Sequence, residues 1–570
     1  MKRIMGSSQR GSKTSNCVLA AVFALIAAFA AKAETVVWYT FDDLGDVGTT
    51  LADSSTIQNK ANPGKLDATV YGMNGKAKYQ SSVNRPYVTN GVPETLRVLD
   101  PVSKTIAASA DKALSFPCTS PGGQGALLET PNDSAFRPSS FTVEMFVRLT
   151  EGRSGWQMLA CQPSTTVDCY GWAISFYQYQ SSGVAMKLMF IKADGSTQQE
   201  CQFDNGATTL SDWKWHHIAM TVYPHATDSS KTVVRFYLDY AKIYDYNAPF
   251  VLSLPDSTDC PVQIGGTTTT AWNFMGEIGE FRFSSGVLDP GEFLRPHNAA
   301  IDKDVVLYYD FEDTDAYDGN FAYSTNSASD VVNKASPIMP GAFQKTVGTD
   351  SKTYPFIDEA SPGHRVLPSQ NAESERTMNS THAFRNASYR VVGSNTSRLK
   401  CTPAYADIFR DTEDFTVEMF YKCGEKEYSD ETIVQQAKLL IIPGQFEVGF
   451  ANPTAQMIPI LKTSGGNVMF SSGTRVDDGK WHHIAIVVKQ SGDSKTFSWY
   501  HDGDLYNNQS KTFSGTVSPM TSGAVWHIGT NNGGRAFDGW IDSLRVTLRA
   551  LEPSEFLRAE KQPGLTIIFR

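Results

Sequence analysis

Phe141-Thr-Val-Glu-Met-Phe146 occurs twice, returning without change as Phe415-Thr-Val-Glu-Met-Phe420. Phe141, Val143 and Met145 alternate with Thr142, Glu144 and Phe146, and such alternation of β-branched and aromatic residues is the period of a strand. Around this stretch, five more motifs recur in the same order. Trp38-Tyr-Thr-Phe-Asp-Asp43 returns as Tyr308-Tyr-Asp-Phe-Glu-Asp313, and Lys214-Trp-His-His-Ile-Ala219 as Lys480-Trp-His-His-Ile-Ala485. Ile264-Gly265 returns as Ile528-Gly529, Gly276-Glu-Ile-Gly-Glu-Phe-Arg282 as Gly539-Trp-Ile-Asp-Ser-Leu-Arg545, and Glu292-Phe-Leu-Arg295 as Glu555-Phe-Leu-Arg558. The offsets drift between 263 and 274 residues, as loop insertions would make them. A period this long is no solenoid repeat; each copy is large enough to bury a core of its own. The reading is two tandem domains, 34–300 and 301–570, joined near Arg295–Asp304 by so short a segment that they are expected to touch. Limited proteolysis is expected to cut between 296 and 304.

Each copy reads as strands. Trp172-Ala-Ile-Ser-Phe-Tyr177, Lys187-Leu-Met-Phe-Ile-Lys192 and Val233-Val-Arg-Phe-Tyr-Leu238 alternate with period two, and Asp194-Gly195, Asp502-Gly503 and Asn532-Gly-Gly534 punctuate them as turns. Helical signals are confined to a turn or two, at Pro290-Gly-Glu-Phe-Leu294 and Pro553-Ser-Glu-Phe-Leu557. The fold class is all-β: two tandem antiparallel β-sandwiches.

Of the 570 residues, 19% are charged, below the usual quarter, and 11% are aromatic, which excludes disorder as the main state. A net charge of −10 disfavours nucleic acid as a partner. Residues 1–33 read as a secretory signal peptide: Lys2, Arg3, Arg10 and Lys13 without an acid, an apolar run from Cys17 to Ala30, then Ala31-Lys-Ala33, with cleavage expected before Glu34. Its removal takes five positive charges and leaves an acidic, secreted product at −15 with no transmembrane segment.

The repeated elements, above all Lys-Trp-His-His-Ile-Ala and Gly-Trp-Ile-Asp-Ser-Leu-Arg, resemble LamG-like (laminin-G/pentraxin, concanavalin A-like) jelly-roll domains over nearly the whole mature chain. The resemblance implies concanavalin A-like jelly rolls with first and last strands side by side. It implies no single activity, since this fold hosts lectins, adhesion modules and glycanases.

The histidine pairs His216/His217 and His482/His483 invite a metal or catalytic reading. Adjacent strand residues point to opposite faces, so the expected role is structural, with one histidine of each pair buried and hydrogen-bonded beside its Trp. No zinc-type spacing occurs. A glycanase needs two carboxylates on one face. Glu277 and Glu280 are three apart and become Trp540 and Ser543 in the second copy, while Glu144 and Glu418 stand without a partner in register and read as surface residues or salt-bridge partners. No catalytic residue is assigned. Calcium is the candidate cofactor: Glu312 and Asp313 on the first strand of the second copy and Asp542 on its last would converge on a hard cation. For sugar, Tyr177 and Tyr179 share a strand face and alternate with Gln178 and Gln180. Cys161 with Cys169, and Cys401 with Cys423, are the disulfide candidates of an exported protein. These features point to a secreted, non-catalytic protein that binds a glycan or cell-surface ligand. The alternatives are a structural or adhesive surface protein with protein-contact modules and, more weakly, an extracellular glycanase.

Overall fold

The computed structural model describes residues 33–74, 77–78, 84–91, 97–100, 105–106, 112–118, 124–151, 154–163, 170–179, 183–191, 198–203, 210, 212–252, 254, 260–268, 272–298, 300–311, 330–331, 333–335, 341–345, 356–358, 364–366, 388–391, 397–401, 409, 414–423, 438–450, 457–470, 479–521, 525–529, 537 and 539–560. The expected leader, 1–33, lies outside them apart from Ala33.

Among the described residues, strands pair only within the first copy or within the second. The repeated strands of domain one are β1 (Glu34–Tyr39), β2 (Phe141–Leu149), β3 (Gly155–Pro163), β4 (Tyr170–Tyr179), β5 (His216–Pro224), β6 (Thr232–Leu238), β7 (Gly276–Ser285) and β8 (Arg295–His297). Those of domain two are β9 (Val305–Tyr309), β10 (Phe415–Cys423), β11 (Lys438–Ile442), β12 (Phe446–Phe450), β13 (Trp481–Ser491), β14 (Ser494–His501), β15 (Gly539–Thr547) and β16 (Arg558–Glu560). One sheet of domain one runs β6-β5-β2-β7, with β1 on β7; its counterpart runs β14-β13-β10-β15, with β9 on β15. First and last strands are thus neighbours in both copies, as the resemblance implied. The opposing sheet carries β3 and β4 in domain one and β11 and β12 in domain two, again antiparallel.

Alternation decides which residues meet between the sheets. Phe141, Val143, Met145 and Val147 of β2 enter the core opposite Trp172, Ile174 and Phe176 of β4. Phe415, Val417 and Met419 of β10 do the same opposite Phe446, Val448 and Phe450 of β12. Both sheets carry a bulge where β2 meets β7 and β10 meets β15, which re-aims the last strand. Gly276 and Gly539 open β7 and β15. A Cβ at either would strike the backbone oxygen of Arg148 or Lys422 and the ring of Phe274 or Phe537, so no larger residue fits.

The first part of the join, 295–298, is not exposed linker, whereas Lys303 within the expected cleavage stretch is exposed. Arg295, Pro296 and His297 are buried and pair with Arg97–Leu99; His297 Nε2–H donates to the Ile301 carbonyl at 3.0 Å, and Asn298 N–H to the Ala335 carbonyl at 3.0 Å. Arg549 reaches back to Asp302 at 3.2 Å. A buried cluster continues from Ala219, Tyr237 and Phe293 of domain one into the core of domain two. Protease attack needs exposed, unpaired backbone, which 295–298 lacks.

Candidate functional site

Thr142, Glu144 and Phe146 point away from the core, yet all three are buried. A strap made of a single 3-10 turn, Pro290–Glu292, and the following Phe293 and Leu294 lies over them. Glu144 Oε2 accepts from His217 Nε2–H at 2.8 Å and from the Leu294 N–H at 2.8 Å; Oε1 accepts from Arg282 Nε–H at 2.6 Å. Arg282 also donates to the Glu292 carbonyl at 2.6 Å and pairs with Asp100. Domain two repeats this network. Glu418 accepts from His483 at 3.0 Å, from the Leu557 N–H at 2.8 Å and from Arg545 Nε–H at 2.6 Å, and Arg545 donates to the Glu555 carbonyl at 2.8 Å. Burial pushes both carboxyls up, but the guanidinium and the imidazole bond outweigh it and hold each below the usual carboxylate range. Glu144 and Glu418 are therefore salt-bridge partners and not surface residues, and both are sealed from substrate. Glu277 pairs with Arg148, and Glu280 is fully buried.

The histidines divide as strand geometry requires, with one difference. His217 and His483 lie under the strap. His216 is also buried, held by Asp239 at 2.7 Å and Asp212 at 2.9 Å, whereas His482 is half-buried, at 2.8 Å from Asp502. Burial works against the charged form of His216, but its two carboxylate partners prevail and raise its pKa. Among the described residues, the ligating side chains that converge are His482, His501 and Asp502, with ligand atoms within 4.8 Å of one another. Two imidazoles and a carboxylate suit a transition ion better than calcium. The hydroxyl of Tyr421 lies 3.1 Å from His501 Nε2. Domain one has Leu238 in place of His501.

Of the expected calcium ligands, Asp542 is fully buried on β15, opposite Phe420 of β10, and accepts from Ser543 Oγ–H at 3.2 Å. Glu312 and Asp313 lie outside the described residues. Cys161 is a buried thiol whose pKa burial pushes up to about 12, with Thr267 hydrogen-bonded to it. Cys169 lies outside the described residues, as does the side chain of Cys401; Cys423 is buried at the end of β10.

Tyr177 is half-buried on the outer face of β4, while Trp172 and Phe176 face the core. The side chain of Tyr179 lies outside the described residues. Trp156, directly across the ladder from Tyr177, meets it edge-on with centroids 5.3 Å apart, and Trp272 stacks on Trp156 at 5.2 Å. Both tryptophans are half-buried. Neither was singled out from the sequence; the signal for Trp156 is its register opposite Tyr177, and Trp272 sits on a connection before β7.

Above His483 lies a cavity of about 560 Å³ bounded by Phe420, Trp481, Phe556 and Leu557, with Asp502 and Asp504 also in its lining.

A sequence model described as the concanavalin A-like lectin/glucanases superfamily (Laminin_G_3) matches residues 122–292 and 394–556. Similar solved structures include domain 4 of AbnA, an extracellular arabinanase of Geobacillus stearothermophilus, at 14% identity and a TM-score of 0.29, covering 46% of this chain and 97% of that one. The CBM40 of the Ruminococcus gnavus IT-sialidase is 16% identical with a TM-score of 0.22, covering 27% and 81%. Domains LG4-5 of the mouse laminin alpha1 chain are 12% identical with a TM-score of 0.21, covering 79% and 96%. No curated protein matches the chain.

Proposed function

We propose a binding role without catalysis for this protein, which belongs to the concanavalin A-like lectin/glucanases superfamily. The ligand is a glycan, and the site is the outer face of domain one. The observation that carries this reading is the aromatic group Trp156, Tyr177 and Trp272, in which Trp156 touches both other rings and all three are only half-buried. Sugar rings present C–H faces that stack on such surfaces, while polar neighbours fix their hydroxyls. Against hydrolysis stands the burial of Glu144, Glu280 and Glu418, since a glycosidase needs two carboxyls that reach one bond. The protein is exported through the 1–33 leader; sequencing the mature N-terminus should give Glu34.

The test is retention on a panel of insoluble polysaccharides, with reducing-sugar release measured in parallel. Trp156→Ala and Tyr177→Ala should each lower retention about tenfold or more, with no sugar released by the parent protein. Retention unchanged in both variants would remove the platform and favour a protein-contact module.

A further inference from the structure

We propose that domain two carries a second binding site, a pocket over His483 that takes a hydroxylated aromatic ring. Its shape is given by domain one, where the same space is filled from within.

The two places correspond in their backbone hydrogen bonds and turn geometry. Asp239 N–H donates to the His217 carbonyl at 2.8 Å, and Asp502 N–H to the His483 carbonyl at 2.8 Å. In return His217 N–H donates to Asp239 Oδ1 at 3.0 Å, and His483 N–H to Asp502 Oδ1 at 2.8 Å. The next residue is Tyr240 in domain one and Gly503 in domain two. Both are left-handed, at φ 67° and 88°. The Tyr240 ring lies flat on the His217 imidazole, 4.5 Å between centroids and 4° between planes, and its hydroxyl donates to the Leu294 carbonyl at 2.8 Å. Gly503 has no ring to offer, and a Cβ built on it meets nothing within 4 Å.

The walls survive the loss. Phe420 stands 5.0 Å from His483, as Phe146 stands 5.1 Å from His217. Phe556 stands 5.8 Å from His483, as Phe293 stands 5.5 Å from His217. Leu557 bonds Glu418 through its N–H as Leu294 bonds Glu144, so its carbonyl is the counterpart of the one that accepts from the Tyr240 hydroxyl. The imidazole is fixed by Glu418 beneath it, so the floor is preorganised. A cavity of about 560 Å³ is of ligand size and holds the ring with a substituent. Asp502 and Asp504 on its lining repel an anionic substituent, so the ligand is a neutral or cationic phenol.

The experiment titrates the full-length protein with p-cresol, toluene and 4-hydroxybenzoate by ligand-observed NMR and calorimetry. The expected result is saturable binding of p-cresol at one site, with toluene about fivefold or more weaker for want of the hydroxyl, and 4-hydroxybenzoate weaker still. Gly503→Tyr should supply the missing ring and abolish p-cresol binding while leaving polysaccharide retention by domain one unchanged. Tyr240→Gly should create the same pocket in domain one and raise the stoichiometry to two. No saturable p-cresol binding, or binding that persists in Gly503→Tyr, overturns the proposal. Equal affinity for toluene overturns its hydroxyl component. Should Gly503→Tyr fail to fold, the stoichiometry of Tyr240→Gly decides, and a value of one counts against the pocket.

Discussion

The outer faces of the two β3/β4-type hairpins share a pairing register and carry opposite chemistry. In domain one Met158, Cys161, Ala173 and Met189 form a buried apolar cluster beside Trp272, continued by Trp156 and Tyr177. In domain two Lys438 stands in the place of Met158 and Glu447 in that of Ala173, and Glu447 lies 3.1 Å from Lys438 and 2.8 Å from Lys462. Burial works against the Glu447 carboxylate, but its two lysines prevail and lower its pKa. The inward faces and the Glu-His-Arg network under the strap are shared. What the copies hold in common is therefore the framework, and what they do not share is the chemistry of this outer face.

The largest effect should come from the shared network. Removing one partner of a buried ion pair costs about 3–5 kcal/mol. Glu418→Ala leaves Arg545 buried with no other carboxylate in direct ion-pair contact among the described residues, Glu555 acting on it only from farther off, whereas Glu144→Ala leaves Arg282 paired with Asp100. Denaturant unfolding should show the greater loss for Glu418→Ala; equal losses would mean Asp100 contributes nothing. Next, exchanging the faces should be asymmetric. Ala173→Glu places a carboxylate among Met158, Met189 and Cys161 and should cost about 3 kcal/mol. Glu447→Ala removes a partly exposed pair and should cost under about 1 kcal/mol.

A smaller effect distinguishes the domains by pH. Burial, helped by nearby Arg295 and opposed by Asp302 and the Ile301 carbonyl, lowers the pKa of His297 to about 4. The unfolded chain binds its proton near pH 6.5, so between about 6.5 and 4 the unfolded state holds more protons and stability falls with acidification. At pH 5 the loss should be about 2 kcal/mol relative to pH 7.5. Domain two has Glu560 at the matching position. His297→Gln should flatten the acid limb of the melting profile of domain one alone. Smallest is calcium. Ligation by Glu312, Asp313 and Asp542 predicts that chelation lowers the stability of domain two by about 1.4 kcal/mol when the ion was at ten times its dissociation constant, and that Asp542→Ala abolishes the difference. A melting curve indifferent to chelator removes calcium from the account.

The framework was legible because it is written twice. Glu144, His217 and Arg282 and their counterparts all lie inside repeated motifs, and the alternation of β4 set Tyr177 on the opposite face from Trp172 and Phe176 without saying which face turns inward. The strap was not legible. Alternation says that Glu144 leaves the inter-sheet core; it does not say that 288–294 returns to cover it, because the bond from Leu294 to Glu144 spans 150 residues of chain. The aromatic group escaped for a related reason. Trp156 meets Tyr177 only through a register that a bulge between Met158 and Ala160 resets further along, and Trp272 arrives from a connection with no periodicity to read.

The buried join has a consequence for multivalent recognition. A flexible linker lets two modules search for their targets, and the gain depends on its length. Here residues 295–298 are paired and hydrogen-bonded, so the domains have little slack to take up. With both proposed sites occupied, such a molecule would measure spacing: two ligands presented at the matching separation would be held together, and two presented at another would be held one at a time.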